Sequence, residues 1–246
     1  MLEIRGLSKN YGRLNVLNDA NINFEEAGIY AVLGPNGSGK TTLIKSILGM
    51  VLPDKGEIIF DGKKINGDCD YRKQISYLPQ IARFPDNLTG RELISMVKDL
   101  RGQNGNEGFL IEHFGLENQL DKNLKYLSGG TKQKINLVLS LMFDSPVLIF
   151  DEPTAGLDPL ALIRFKEILI SLKEEGKIII LATHIINLVE EIADSIIFLL
   201  EGKIYFNGPA SELLMSQDTY SFEKAIAQIL ESNNNNKINN VKNFKI

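Results

Sequence analysis

The stretch Gly34-Pro35-Asn36-Gly37-Ser38-Gly39-Lys40-Thr41-Thr42 satisfies the pattern G-x-x-x-x-G-K-[ST] at every fixed position. Its chemistry is the binding of a phosphate. The glycines let the backbone wrap closely around an anion, and successive amide N–H groups at a following helix start form a nest for it. Lys40 would reach the β- and γ-phosphates of a nucleotide, and the Thr41 hydroxyl would ligate Mg²⁺. A second chemical stretch is Asp151-Glu152. Asp151 can hold Mg²⁺, while Glu152 can orient and partly deprotonate an attacking water. The plain alternatives are a glycine-rich connector and two solvated acids.

The flanking residues decide between these readings. Ile29 to Leu33 is an apolar run of buried-strand type, and Thr41 to Leu48 reads as a helix, so the loop has the strand-turn-helix setting it needs. Val147 to Phe150 is a second apolar strand, which puts Asp151 and Glu152 at a strand's C-terminal end, the ligand edge of an open α/β sheet. Further strands are expected at Leu2 to Ile4, Ile22 to Phe24, Glu57 to Phe60, Ile75 to Gln80 and Lys177 to Ala182. Two hairpins are expected, one turning at Asp61-Gly62 and one at Glu201-Gly202. Thr89 and Glu92 form a capping box for a helix to about Leu100, and a short helix should cover Phe109 to Phe114. Ser128 caps another helix, broken at Pro146, and Asp158-Pro159 opens a long amphipathic one that ends at Gly176. The alternation predicts a mostly parallel sheet covered on both faces.

The phosphate loop is shared by GTPases, kinases, motors and transporter ATPases, so its company matters. Leu127-Ser128-Gly129-Gly130 before a helix, followed by Asp151-Glu152-Pro153-Thr154, resembles the ATP-binding cassette (ABC) ATPase family over roughly Leu2 to Gly208. That resemblance implies an α/β fold: a P-loop, RecA-like core, an N-terminal antiparallel β subdomain and an inserted helical subdomain. It also implies roles. Tyr11 resembles the aromatic that stacks on adenine, Gln80 the Q-loop residue that senses Mg²⁺ and water, Asp158 the end of the D-loop, and His184 the switch histidine at the γ-phosphate. Taken singly, Tyr11 reads as a packing residue, Gln80 as a surface amide and His184 as a strand-end histidine. His113, without such company, is expected at the surface.

In this family Ser128, Gly129 and Gly130 resemble a second phosphate-binding helix start, offered across a head-to-tail dimer to ATP held by the partner copy. The implied partners are a second copy of the chain and an integral membrane permease, docked near Gln80 and the Thr89 to Phe114 helices, with a periplasmic accessory protein in some systems. The signature continues Thr131-Lys132-Gln133 where the commonest family form has Gln directly after the second glycine, which leaves the phosphate contacts intact. A soluble ABC ATPase of translation or DNA maintenance is the competing class, and its paired cassettes or long coiled coil are missing here. Tyr77 to Thr89 and Ser128 to Lys134 are similar to the ATPase subunit of the NosDFY-type, ABC-2 exporter system that matures the copper sites of nitrous-oxide reductase. Other ABC-2 exporters of drugs, lipids or polysaccharides are the alternative.

Composition bounds the rest. The 246 residues are 43% apolar and 24% charged, ordinary for a globular α/β domain. A net charge of -4 gives no electrostatic reason to expect nucleic acid. The single cysteine, Cys69, excludes an intramolecular disulfide. The opening Met1 to Gly6 has no apolar signal region, and the longest apolar runs fall short of the roughly 18 residues needed to span a bilayer. The expected place is the cytoplasmic face of the inner membrane, peripheral to a permease. Expected divisions are an ATPase domain over 1–216 with its helical subdomain at about 85–145, a C-terminal helix over 217–230, and an Asn-rich disordered tail over 231–246.

Overall fold

The computed structural model describes residues 2–65, 67, 69–216 and 221–231. Among the described residues ten strands form two sheets: β1 (Leu2–Tyr11), β2 (Leu14–Phe24), β3 (Gly28–Leu33), β4 (Lys55–Phe60), β5 (Lys63–Lys64), β6 (Ile75–Leu78), β7 (Val147–Asp151), β8 (Ile178–Thr183), β9 (Ser195–Leu200) and β10 (Lys203–Pro209). The helices are α1 (Lys40–Ile47), α2 (Gly90–Arg101), α3 (Glu107–His113), α4 (Gly129–Leu141), α5 (Pro159–Glu174), α6 (Ile186–Ile192) and α7 (Ala210–Ser216), with a further helix over 222–231. The tail expected from 231 onward lies, beyond its first residue, outside the described residues.

The sheet that carries the chemistry runs in the order β10-β9-β3-β8-β7-β6. Its five strands from β9 to β6 are parallel, and β10 returns antiparallel through the Glu201-Gly202 hairpin. Register aligns their ends: Leu33 pairs with Thr183, Ala182 with Asp151, and Phe150 with Leu78. The loops after β3, β8, β7 and β6 therefore leave from one edge. β7 and β8 are buried along their whole length, as the apolar runs require of strands covered on both faces. α5 closes one face, Phe165 standing edge-on to Phe150 of β7 with ring centroids 5.4 Å apart, a buried pair that adds about 1 kcal/mol beyond its area.

The second sheet, β2-β1-β4-β5, is antiparallel. β1 and β2 extend well beyond the three-residue strands expected, because register shifts between Ile4 and Asn10 interrupt the alternation by which a strand is recognised. Asp61 and Gly62, both at positive φ, turn β4 into β5 as expected. Between β6 and β7 stands the helical insertion. α2 opens with the complete Thr89/Glu92 capping box. α4 stops at Leu141 rather than running to Pro146, since the chain bends there to bury Phe143 beneath the Arg101 guanidinium, 4.5 Å from the ring centroid. His113 is half-buried rather than a free surface residue. Its ring stacks on Phe109, and its carbonyl accepts a 2.5 Å hydrogen bond from Arg164 of α5.

Candidate functional site

Glycine is dictated at the phosphate loop by contact as well as conformation. A Cβ on Gly34 would lie 2.1 Å from the Leu199 carbonyl oxygen, and one on Gly39, at φ 113°, would lie 2.5 Å from that of Val16. Gly37, at φ 80°, has open space around it and is needed for its backbone alone. The β9–β10 turn braces the loop from outside, the Gly202 amide donating to the Ser38 carbonyl. Within the loop Lys40 is 6% exposed, and its Nζ donates to the carbonyls of Gly34 at 2.7 Å and Pro35 at 3.3 Å. The buried Ser38 Oγ has no hydrogen-bond partner among the described residues. A buried cation and an orphaned hydroxyl inside a ring of amides fit an anionic ligand.

Thr41, at the start of α1, donates its hydroxyl to Asp151 Oδ2 at 2.9 Å. Asp151 Oδ1 is buried without a partner among the described residues, and burial pushes the carboxyl above its usual range, helped by the neighbouring Glu152 and opposed by the Thr41 hydrogen bond. An orphaned, desolvated carboxylate oxygen beside a threonine hydroxyl fits a hard divalent cation. Burial and the charge of Asp151 also push the Tyr77 phenol up to about 12.

Glu152 follows Asp151 in left-handed backbone, φ 52°, a conformation costly for a residue with a Cβ. Its amide remains tied to the Ala182 carbonyl of β8. The carboxylate meets His184 Nδ1 at 3.0 Å through both oxygens, accepts the Thr183 hydroxyl at 3.3 Å and stands 3.6 Å from Lys40 Nζ. The backbone twist places this carboxylate in the cleft lining while Asp151 stays behind Thr41. Adjacent carboxylates thus acquire different surroundings, the condition for different chemical tasks.

One cleft of about 420 Å³ gathers Tyr11, Asn36, Gly37, Gly39, Lys40, Thr41, Thr42, Gln80 and Glu152. Leu14 and Val16 of β2 complete its wall. They escaped sequence reasoning because apolar residues in an irregular strand carry no motif, although their spacing from Tyr11 was available. Thr183, which closes the regular buried strand β8, is a single polar residue with no motif around it.

Gly34, Pro35, Asp151 and His184 bond to residues of that lining and Ser38 lies within the loop itself, whereas the other four predicted residues stand apart from the cleft. Ser128 caps α4, its Oγ accepting from the Thr131 amide at 3.2 Å, and Gly129 and Gly130 form the first turn. Asp158 is engaged twice, accepting from the Ala161 amide at 2.9 Å as the cap of α5 and pairing with Lys134 at 2.6 Å. Within one chain these four do not line the phosphate cleft.

Comparison with known proteins agrees with this geometry. A family model described as ABC transporter matches residues 17–155. The lantibiotic transport ATP-binding protein SrtF of Streptococcus pyogenes is 37% identical over 205 residues, covering 83% of this chain and 89% of the relative. The Nod factor export ATP-binding protein I of Burkholderia orbicola (strain AU 1054) is 32% identical over 222 residues, with 88% of this chain and 73% of the relative covered. A solved structure of the ATP-binding subunit of an ABC transporter superposes with a TM-score of 0.87 at 30% identity, over 94% of this chain and 99% of that one.

Proposed function

The chain belongs to the ABC transporter family as one of its ATP-hydrolysing subunits, and from that premise we propose that it powers an exporter from the cytoplasmic face of the cell membrane. Two copies close head to tail around ATP. Each phosphate cleft is completed by Ser128, Gly129 and Gly130 of the other copy, and hydrolysis reopens the pair beneath a separate permease. The observation that carries this reading is the division of the predicted residues: nine share one cleft, whereas the α4 helix start, a ready anion site, lies outside it in the same chain.

In that dimer Tyr11 stacks on adenine, and the P-loop from Gly34 to Thr42 with Lys40 cradles the phosphates. Glu152 orients and deprotonates the attacking water while His184 holds Glu152 and reaches the γ-phosphate. Gln80 reports the state of the site to the permease, and Asp158 lies at the seam. Thr41, Asp151 and Gln80 are the residues that would hold Mg²⁺, which when bound offsets phosphate charge. Residues 1–216 act as the ATPase unit, with the helical insertion at about 85–145, and the helix over 222–231 is appended to it, residues 217–220 of the expected C-terminal helix lying outside the described residues. No helix of the described residues is long and apolar enough to cross a membrane.

Export is supported by the Nod factor export relative. Within exporters, the stretches Tyr77 to Thr89 and Ser128 to Lys134 favour the ABC-2 type system that matures the copper sites of nitrous-oxide reductase, with its periplasmic accessory protein. Affinity capture of the full chain from its native membranes tests the proposal. Recovery of a multi-span permease is expected, and recovery of ribosomes or DNA-repair proteins instead would contradict it. A nitrous-oxide reductase gene beside this one supports the finer cargo assignment, and an antibiotic-efflux permease there removes it.

A further inference from the structure

α4 does more than present its N-terminus. Gln133 and Asn136, three residues apart on one face of the helix, are 9% and 4% exposed, unusual burial for amides. Gln133 Nε2 donates to the Pro153 carbonyl at 2.6 Å, and Asn136 Nδ2 donates to the Pro79 carbonyl at 3.4 Å. Pro153 directly follows Glu152, and Pro79 directly precedes Gln80. One helix thus grips the backbone beside both the water-activating carboxylate and the Q-loop residue of its own chain. Two more contacts fasten the same parts. A Cβ on Gly130 would lie 2.7 Å from the Gly156 carbonyl oxygen, so the turn after Ser128 rests on the loop after Glu152, and Lys134 pairs with Asp158 at the end of that loop.

We propose that Gln133 and Asn136 are positioning residues that yoke the Ser128–Gly130 turn to Gln80 and Glu152, making nucleotide in a chain's own cleft set how that chain presents its turn to the partner's nucleotide. The prolines suit the task, because each has a fixed φ and no N–H, which leaves its carbonyl as the handle. Buried amides in low dielectric hold such carbonyls in one geometry, and a shift of either segment moves α4 rather than being lost in slack. The consequence is positive coupling between the two sites of a dimer.

The inference rests on the two-chain reading, and the experiment separates the two. ATPase rate against ATP concentration is measured for the full chain and for Gln133→Met and Asn136→Leu, singly and together, each of which removes the donor at similar volume. Wild type should give a Hill coefficient approaching about 2, and the double variant about 1, with ADP affinity of the chain changed by less than about twofold. Because either single change should lower the coefficient, the test survives poor folding of the double variant. Lower thermal stability or turnover with the Hill coefficient retained would make the amides ordinary packing groups and overturn the yoke. A non-cooperative wild type would overturn the two-chain premise itself.

Discussion

Glu152 and His184 meet at the ends of adjacent parallel strands, the histidine Nδ1 3.0 Å from both oxygens of a carboxylate that also stands 3.6 Å from Lys40. The carboxylate is held by a histidine just past the end of the neighbouring strand, and its own backbone is in strained left-handed geometry. Glu152→Gln should lower the hydrolysis rate by roughly 10²- to 10⁴-fold if it is the general base. His184→Ala should lose on the order of 10²-fold, and the double variant should be no slower than Glu152→Gln alone, since residues acting as a unit are not additive. Single-turnover assays in excess enzyme check both, and additive losses would separate the two roles.

The buried Asp151 makes stability depend on pH in a definite sense. Its carboxyl sits above the usual range because of burial, so the folded chain keeps a proton that the unfolded chain releases. The penalty is absent below the ordinary value of 3.8 and grows as pH rises through the raised one. In metal-free buffer, Asp151→Asn should therefore gain stability relative to wild type as pH rises above the ordinary value of 3.8, while losing Mg²⁺-dependent ATP binding. Urea unfolding across that range is the measurement, and an unchanging or falling difference would contradict it.

Gly34 and Gly37 should fail differently. Gly34→Ala must displace the β9 backbone at Leu199, so a fall in Tm on the order of 10 °C is expected. Gly37→Ala meets nothing but carries an unfavourable positive φ, for about 1 to 2 kcal/mol. Thermal unfolding of the two nucleotide-free variants compares them. Equal losses would mean that the close approach at Gly34 is not what selects glycine.

Tyr11 is 50% exposed at the cleft mouth, with Lys9 Nζ 5.6 Å from its ring centroid. Tyr11→Ala should raise KM for ATP by about 5- to 10-fold with kcat nearly unchanged, the signature of lost stacking. Tyr11→Phe should stay within about twofold of wild type. A matched fall in kcat would place Tyr11 in the chemical step instead.

Much of this was legible in residue order. β3 with its loop, β7 with its two carboxylates and the caps at Thr89, Ser128 and Asp158 could be read directly, because buried parallel strands are unbroken apolar runs and helix caps are local chemistry. The full β1–β2 hairpin was hidden by its bulges, and Leu14 with it. Gln133 and Asn136 were hidden for another reason. An amide in an amphipathic helix looks the same whether it faces water or a proline carbonyl 20 or 57 residues away, and only the packing of α4 against the ends of β6 and β7 decides.

The central claim is that each ATP is hydrolysed between a P-loop of one chain and the Ser128–Gly130 turn of another. The direct test mixes two full-length variants, Lys40→Ala and Ser128→Arg, each expected to be inactive alone. A mixed dimer keeps one intact cleft, the P-loop of the Ser128→Arg chain facing the turn of the Lys40→Ala chain. Equimolar mixing should restore activity up to about a quarter of the wild-type ATPase rate, since half the dimers are hybrids with one intact cleft, and positive coupling between the sites keeps it below that ceiling. A Ser128→Arg chain that hydrolyses ATP normally by itself, or two silent chains that stay silent when mixed, would contradict the account.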